Sequence, residues 1–259
     1  MKNLFNVIVI VLALAIAYVI YYGVMGNPAN FADAAKTEPL NGNVLGTIYT
    51  GGWLVGLLLG LLIISITFFF ERYLSINKAK GKGNPAIFIK SVIDNLAKGD
   101  LHNALEDCDK QRGSVANVLR AAIHRFKEIE KDDEFVAEKK ITEVQRAIDE
   151  SMNLETPLLE KNLVILSTIA SISTMIGLLG TTLGMIRAFR ALAMSGTVSA
   201  IQLSLGISEA LYNTAGGLAA AIISIVAYNL FTTKVDNFVY MIDEAILSIT
   251  QIFTVRIKK

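Results

Sequence analysis

Hydroxyl side chains interrupt two long apolar runs in the C-terminal half of this 259-residue chain. Hydrocarbon offers a hydroxyl no partner, so each one must bond within its own helix or face something polar. Next to a water-filled space, such hydroxyls can supply the contacts that a permeating ion needs. The residues concerned are Thr174 and Thr181 in the first run and Thr214 and Ser224 in the second.

These hydroxyls belong to two stripes of small residues. Steps of three and four residues place the members of each stripe on one face of a helix. Such stripes either let two membrane helices pack closely, or face a lumen shared by several subunits or a partner helix inside it. The stripes are Ser167, Ala170, Thr174, Gly177, Thr181, Gly184 and Ala188 in the first run, and Ala210, Thr214, Gly217, Ala221 and Ser224 in the second.

Side chains that carry protons or perform covalent chemistry are lacking around these stripes. No Asp, Glu, Lys, Arg or His lies near the middle of an apolar run, whereas proton pathways through membranes usually need a titratable group. Either this chain moves no protons, or a partner supplies the carboxylate. His102 and His124 lack metal-ligand spacing, and the sequence has neither a phosphate-binding loop nor a nucleophile elbow. We therefore expect neither an enzyme nor a metal site.

The elements that must position these residues are helices that cross a membrane. Only 18% of the residues are charged, against roughly a quarter in soluble domains. Four apolar runs are long enough to span a bilayer, so we predict an all-α polytopic membrane protein with long helices extending into the cytoplasm. The first run resembles a secretory signal, but its apolar core is longer than usual, and we expect a retained helix. The runs are Leu4–Tyr22, Gly52–Phe70, Leu163–Ile186 and Ile207–Phe231.

Basic residues beside the spans predict the orientation of the chain. They cluster after the second span, after the fourth span and at the end of the chain (Arg256, Lys258 and Lys259), which places both termini in the cytoplasm. Arg187, at the outward end of the third span, does not fit this rule. Because a nearby carboxylate can hold such a cation, we predict an ion pair with Glu209 at the outward start of the fourth span.

The order of segments follows from this topology. Apolar residues at helical spacing predict amphipathic helices between the second and third spans and in the C-terminal tail. Cys108, the single cysteine, is expected to be a small buried residue rather than a reactive thiol. The predicted segments are an extra N-terminal membrane helix (1–25), a periplasmic loop (26–51), a membrane helix (52–71), a cytoplasmic helical domain (72–161), a membrane helix (162–189), a short periplasmic loop (190–206), a membrane helix (207–232) and a cytoplasmic amphipathic helix (233–259).

Two sequence motifs carry a resemblance to a known family. GLLGTTLGMIRAF at 177–189, followed by ISEALYNTAGGLAAAIISIVAYNLF at 207–231, resembles the MotA/TolQ/ExbB proton-channel family and is most similar to its ExbB and TolQ branch. Phe70-Glu71-Arg72 at the end of the second span also fits, and the resemblance covers about 52–259. Thr181 matches the family's pore threonine and Thr214 the threonine of its last span. The resemblance thus implies that both lie on a proton pathway.

The resemblance also implies partners and a task. It implies a homopentamer in the bacterial inner membrane, closed around a dimer of an ExbD/TolR-like single-span protein whose membrane aspartate carries the proton. Proton-motive force would then energise a TonB-type outer-membrane transport system through a TonB- or TolA-like protein. The proton is the transported ion, and no cofactor is implied. The pore-facing or partner-packing residues would be Ala170, Thr174, Gly177, Gly184, Ala210, Gly217, Ala221 and Ser224.

Alternatives stay open at the level of sequence. A TolQ-like envelope protein and a gliding- or secretion-type motor would carry the same motifs. A structural membrane scaffold without ion conduction would use the small stripes for packing alone. Replacing a threonine by valine, which is nearly isosteric, separates conduction from packing because it removes only the hydroxyl.

Overall fold

The computed structural model describes residues 2–132, 136–194 and 200–257. Within these residues the chain is helical, and the only strand-like feature described is a single bridge between Phe31 and Pro39. The prediction of an all-α polytopic membrane protein is confirmed. Four helical stretches in the described part are long and apolar enough to cross a membrane: Asn6–Met25, Trp53–Ala79, Ala137–Ala193 and Gln202–Ile257.

The helices divide between two compact units. The membrane unit comprises Met1–Phe70 and Asn162–Asn229, and the polar unit comprises Glu71–Lys161 and Leu230–Lys259. A π-helical turn (Ile20–Met25) and a 3₁₀ turn (Pro28–Asn30) follow the first helix. The α-helices are α1 (Lys2–Val19), α2 (Val44–Tyr49), α3 (Trp53–Ala79), α4 (Pro85–Ala97), α5 (Leu101–Gln111), α6 (Ser114–Ile129), α7 (Ala137–Glu160), α8 (Leu163–Met194) and α9 (Ala200–Ile257).

The last two helices are longer than the sequence predicts. Helix occupies much of the predicted 190–206 loop, because Ala191, Leu192 and Met194 are good helix formers. Residues 195–199 of that loop, and the basic residues Lys258 and Lys259, lie outside the described residues. The predicted last span and C-terminal amphipathic helix are one helix, α9, since no glycine or proline interrupts 218–257.

In the membrane unit, small residues set the neighbours of each helix. A Cβ on Gly60 of α3 would lie 2.6 Å from Leu14 Cδ2, so α3 packs closely against α1. On its other side α3 meets α9, where Ser65 Oγ lies 2.6 Å from Ser224 Oγ and both residues are buried. Helix α8 packs against α9, and Asn6 of α1 donates to Asn162, which immediately precedes α8, at 2.7 Å.

The polar unit buries one face of each amphipathic helix. Asn84 and Asp100 accept hydrogen bonds from backbone N–H groups of the first turns of α4 and α5, which fixes where these helices begin. Cys108 is 2% exposed, which confirms the expectation for this residue. Phe88 lies on the buried face of α4, whereas the neighbouring Ile87 is 69% exposed.

The C-terminal part of α9 completes the core of the polar unit. Phe253 stacks on Phe126 of α6 with ring centroids 4.0 Å apart. The predicted amphipathic character of this tail is confirmed, because its apolar residues at helical spacing are buried. They are Phe238, Ile242, Ala245, Ile249 and Phe253.

Candidate functional site

Glycines bring α8 and α9 into backbone contact in the membrane unit. A Cβ on Gly217 would lie 2.8 Å from Gly177 Cα, and a Cβ on Gly184 would lie 2.8 Å from the backbone nitrogen of Ala210. No side chain can keep such distances to backbone atoms, so these positions require glycine. The close approach is the packing that small residues allow between membrane helices.

The structure separates the predicted stripe residues into two groups by exposure. The glycines and most alanines lie at the contact between the helices, and the threonines lie along its edge. Buried within the chain are Ala170, Gly177, Gly184, Ala210, Gly217 and Ser224, and half-buried are Thr174, Thr181, Thr214 and Ala221. The chain's own helices therefore fill the glycine part of the stripes, and the threonines form a separate, partly open edge.

We call Thr174, Thr181 and Thr214 the threonine edge. Thr181 Oγ1 donates to the Leu178 carbonyl oxygen at 2.6 Å and Thr174 Oγ1 to that of Ala170 at 3.2 Å, both within α8. Thr214 Oγ1 donates across the helix pair to the Gly177 carbonyl oxygen at 3.3 Å. Each hydroxyl proton is thereby committed to a helix carbonyl. The oxygens keep their lone pairs, so the edge offers hydrogen-bond acceptors to water or a hydrated proton.

Thr214, the member of the threonine edge on α9, lies on the flank of α9 that faces away from α3. Leu58 of α3 would be the nearest contact of a Cβ on Gly216, at 3.4 Å, so Gly216 marks the flank that α3 covers. Each residue advances about 100° around a helix, which puts Thr214 and Ala221 on the side opposite Gly216. Helix α3 therefore leaves Thr214 and Ala221 uncovered in a single chain.

Buried polar residues behind this edge were not predicted from the sequence. Asn213 is fully buried, and its Nδ2 donates to the carbonyl oxygens of Gly51 at 2.7 Å and Glu209 at 3.0 Å. Asn213 Oδ1 and the hydroxyl of Ser173 are buried with no partner in the described part of the chain. The amide of Asn213 within an apolar run is the signal in the sequence that indicates such a residue.

Arg187 and Glu209 meet at the ends of α8 and α9. Arg187 Nη1 lies 2.6 Å from Glu209 Oε1 and 2.7 Å from Oε2. The Glu209 side chain is 8% exposed, whereas that of Arg187 is 51% exposed. Gly52 has φ +80° and sits against the carboxylate, since a Cβ there would lie 2.8 Å from Oε1. A nearly buried carboxylate is thus held by a cation that remains open on its other side.

The residues that the structure describes contain no candidate metal-binding site. No group of three or more His, Cys, Asp and Glu side chains there is arranged to hold a metal ion.

The chain is similar to one family of known proteins, and the family profile covers the region that contains this site. The profile of the MotA/TolQ/ExbB proton channel family matches residues 93–244. The Tol-Pal system protein TolQ of Haemophilus influenzae is 32% identical over 140 residues, which are 53% of this chain and 61% of the relative. A putative biopolymer transport protein ExbB homolog of Methanothermobacter thermautotrophicus is 26% identical over 76% of this chain and 65% of its own length.

A third relative is more similar over a shorter region. The biopolymer transport protein ExbB of Helicobacter pylori is 42% identical over 87 residues, 34% of this chain and 58% of the relative. In each of these three comparisons the chain spans less than two thirds of the relative's length.

Proposed function

This chain belongs to the MotA/TolQ/ExbB proton channel family, and from that membership we propose that it is the ring subunit of a motor driven by the proton-motive force. Members of the family are channel and energising subunits, so the chain is not an enzyme. In this proposal five copies close around a dimer of an ExbD/TolR-like single-span protein. The ring lies in a bacterial inner membrane with both termini in the cytoplasm.

The main structural support for this proposal is the threonine edge. Its residues are half-buried, its hydroxyl protons are donated to helix carbonyl oxygens, and α3 does not cover Thr214. Packing of five chains would bring five such edges toward a shared axis. The acceptor oxygens of Thr181 and Thr214 would then stabilise a hydrated proton, or the protonated carboxyl of a partner, inside the membrane.

The partner must supply the group that takes and gives the proton. Residues 163–186 of α8 and 210–231 of α9 contain no Asp, Glu, Lys, Arg or His. A hydroxyl does not titrate near neutral pH, so the threonines can orient and solvate a proton but cannot carry it between the two sides. A membrane aspartate on the ExbD/TolR-like partner would fill this role.

Proton flux through the reconstituted complex tests the proposal. The chain is co-expressed with the single-span partner, inserted into liposomes, and flux is followed with a pH-sensitive dye under an imposed potential. A hydrogen bond to a charged group contributes about 1.5–3 kcal/mol, which corresponds to roughly 10- to 100-fold in rate. We expect Thr181→Val and Thr214→Val each to lower flux by that factor, and Thr214→Ser to retain most of it.

Thr168→Val is the matched control. Thr168 is an exposed residue of α8 whose hydroxyl donates to the Val164 carbonyl oxygen at 2.7 Å, but it lies outside the threonine edge. We expect this variant to conduct like the unmodified chain. If the Thr181→Val and Thr214→Val variants assemble normally and conduct protons at the full rate, the threonines do not act in conduction. The chain would then be better explained as a structural scaffold whose small residues only pack helices.

The client system is proposed to be a TonB-type outer-membrane transport system, through a TonB- or TolA-like protein. Relatives named for biopolymer transport and for the Tol-Pal system both match this chain, so a TolQ-like role is the second candidate. Introducing the chain with its partner into bacteria that lack ExbB, and separately into bacteria that lack TolQ, distinguishes them. Restored TonB-dependent uptake supports the first role, and restored resistance to detergent supports the second.

A further inference from the structure

A cavity lies at the ends of α8 and α9, beneath the segment that joins α1 to α3. Its volume is about 380 Å³, and Arg187 and Glu209 form part of its lining. Lys36 and Thr37 of the joining segment, with the rings of Tyr21 and Tyr49, line the opposite side. Two cations and one carboxylate therefore face the same space, which carries a net positive charge.

Lys36 is held in place by a turn built on Asp33. The Asp33 carboxylate accepts hydrogen bonds from the backbone N–H of Glu38 at 2.8 Å and from the hydroxyl of Thr37 at 2.7 Å. These bonds hold the pKa of Asp33 below its usual value, with the Glu38 N–H contributing most. Lys36 itself has φ +58°, and its Nζ donates to the Gly26 carbonyl oxygen at 2.6 Å. Two of the three N–H donors on this ammonium group stay available for a ligand.

Arg187 also keeps donors for a ligand. A single nitrogen, Nη1, makes both contacts to Glu209. Within the described part of the chain, Nε and Nη2 have no hydrogen-bond partner. The guanidinium therefore neutralises the carboxylate with one nitrogen and can bind an anion with the others, in the forked geometry that suits phosphate oxygens.

Exposed aromatic residues near the same ends of the helices indicate where the membrane surface lies. Tyr22 is 57% exposed and Trp53 is 50% exposed. The Tyr18 hydroxyl, one turn from Tyr22, reaches the Trp53 carbonyl oxygen at 3.5 Å. Tyrosine and tryptophan concentrate at the level of lipid head groups. The cavity thus opens at the height at which phospholipid phosphates are found.

We propose that this cavity binds the phosphate of an anionic phospholipid head group between Lys36 and Arg187. The two cations bind the phosphate oxygens, and Leu205 and the rings of Tyr21 and Tyr49 supply the apolar wall beside them. A basic pocket between membrane helices is a recognised arrangement for lipid head groups. The site would tie the joining segment to the ends of α8 and α9. It is independent of proton conduction by the threonine edge.

Lipid retention measured by native mass spectrometry tests the site. The complex is inserted into nanodiscs of phosphatidylcholine and phosphatidylglycerol in equal parts, released in the spectrometer, and the retained phosphatidylglycerol per chain is counted. One lysine near an anionic lipid surface is worth about 1 kcal/mol, which is roughly fivefold in binding. We expect Lys36→Gln to lower retention of phosphatidylglycerol by that factor, and Lys36→Arg to preserve it.

Lys90→Gln is the control for charge removal, because Lys90 is an exposed residue of α4 in the polar unit. We expect its retention of phosphatidylglycerol to equal that of the unmodified chain. Equal retention in the Lys36→Gln and Lys90→Gln variants would overturn the proposal. A separate arm adds inorganic phosphate: loss of the retained lipid at millimolar phosphate would identify free phosphate, rather than a lipid, as the occupant. Proton flux is measured on the same variants, so failure of this site and failure of the ion pathway are distinguishable.

Discussion

Replacing either of two adjacent glycines of α9, Gly216 and Gly217, by alanine is expected to change the stability of the protein in opposite directions. A Cβ on Gly217 would lie 2.6 Å from the Ser173 carbonyl oxygen and 2.8 Å from Gly177 Cα, both backbone positions. A Cβ on Gly216 would meet only the Leu58 side chain, at 3.4 Å and beyond. Gly217→Ala must therefore push α8 and α9 apart, whereas Gly216→Ala meets ordinary van der Waals contact.

The expected magnitudes follow from these distances. Moving the Gly217 contact out of the forbidden range separates two backbones by roughly half an ångström, and such overpacking costs about 1–3 kcal/mol. Alanine favours the helical conformation by about 1 kcal/mol relative to glycine, which stabilises the helix at either position. We expect Gly217→Ala to be destabilising by up to about 2 kcal/mol and Gly216→Ala to be stabilising by up to about 1 kcal/mol, so Gly217→Ala is the less stable variant by about 1–3 kcal/mol.

The free energy of unfolding is measured for both purified variants in mixed micelles. Sodium dodecyl sulfate is titrated as the denaturant, and tryptophan fluorescence follows the unfolding. Trp53 is the single tryptophan and lies at the start of α3, so its emission reports on the membrane unit. Equal stability of the two variants would refute the close contact between α8 and α9. A Gly216→Ala variant less stable than Gly217→Ala would refute the assignment of the two flanks of α9.

Two further predictions concern buried groups. Ser65 and Ser224 share a hydrogen bond of 2.6 Å, so a double-mutant cycle to alanine is expected to give a coupling free energy of about 0.6 kcal/mol, and a value near zero would contradict the contact. Burial raises the pKa of the Cys108 thiol to about 12, from an ordinary value near 8.5. Because the folded chain favours the protonated thiol, the raised pKa contributes fully to the stability of the folded state below the ordinary thiol pKa. That contribution is lost as the pH rises toward 12. At neutral pH, maleimide is expected to label Cys108 only after unfolding, and rapid labelling of the folded chain would contradict its burial.

The sequence determined the membrane character of the protein because hydropathy and length are local properties. Runs of about 20 apolar residues locate the spans without reference to any other part of the chain. The same is true of residues 163–186 of α8 and 210–231 of α9, whose lack of Asp, Glu, Lys, Arg and His is a fact of composition. Helical spacing also placed Thr181, Gly177 and Gly184 on one face, since the period of an α-helix is constant.

Ends of helices were less predictable than their existence. Gly216 and Gly217 lie in the middle of α9, although glycine disfavours helix, because packing against neighbouring helices outweighs a cost of about 1 kcal/mol. At residues 190–194 the predicted loop is helix, because good helix formers extend α8 past the apolar run. Helix propensity thus continues α8 beyond the last residue of the apolar run, and hydropathy alone does not locate the end of the helix.

Only the tertiary structure decided which neighbour each small residue meets. The sequence treated Gly217 and Thr214 as members of one stripe, but the fold puts Gly217 against the backbone of α8 and leaves Thr214 on an open edge. Ser65 and Ser224 are 159 residues apart in sequence and meet only because α3 and α9 pack together. Lys36, in a loop that hydropathy describes only as polar, joins Arg187 at one cavity. The helical period specifies only the direction in which a side chain leaves its own helix. A contact also depends on where the neighbouring helix lies, and the packing of the whole membrane unit sets that position.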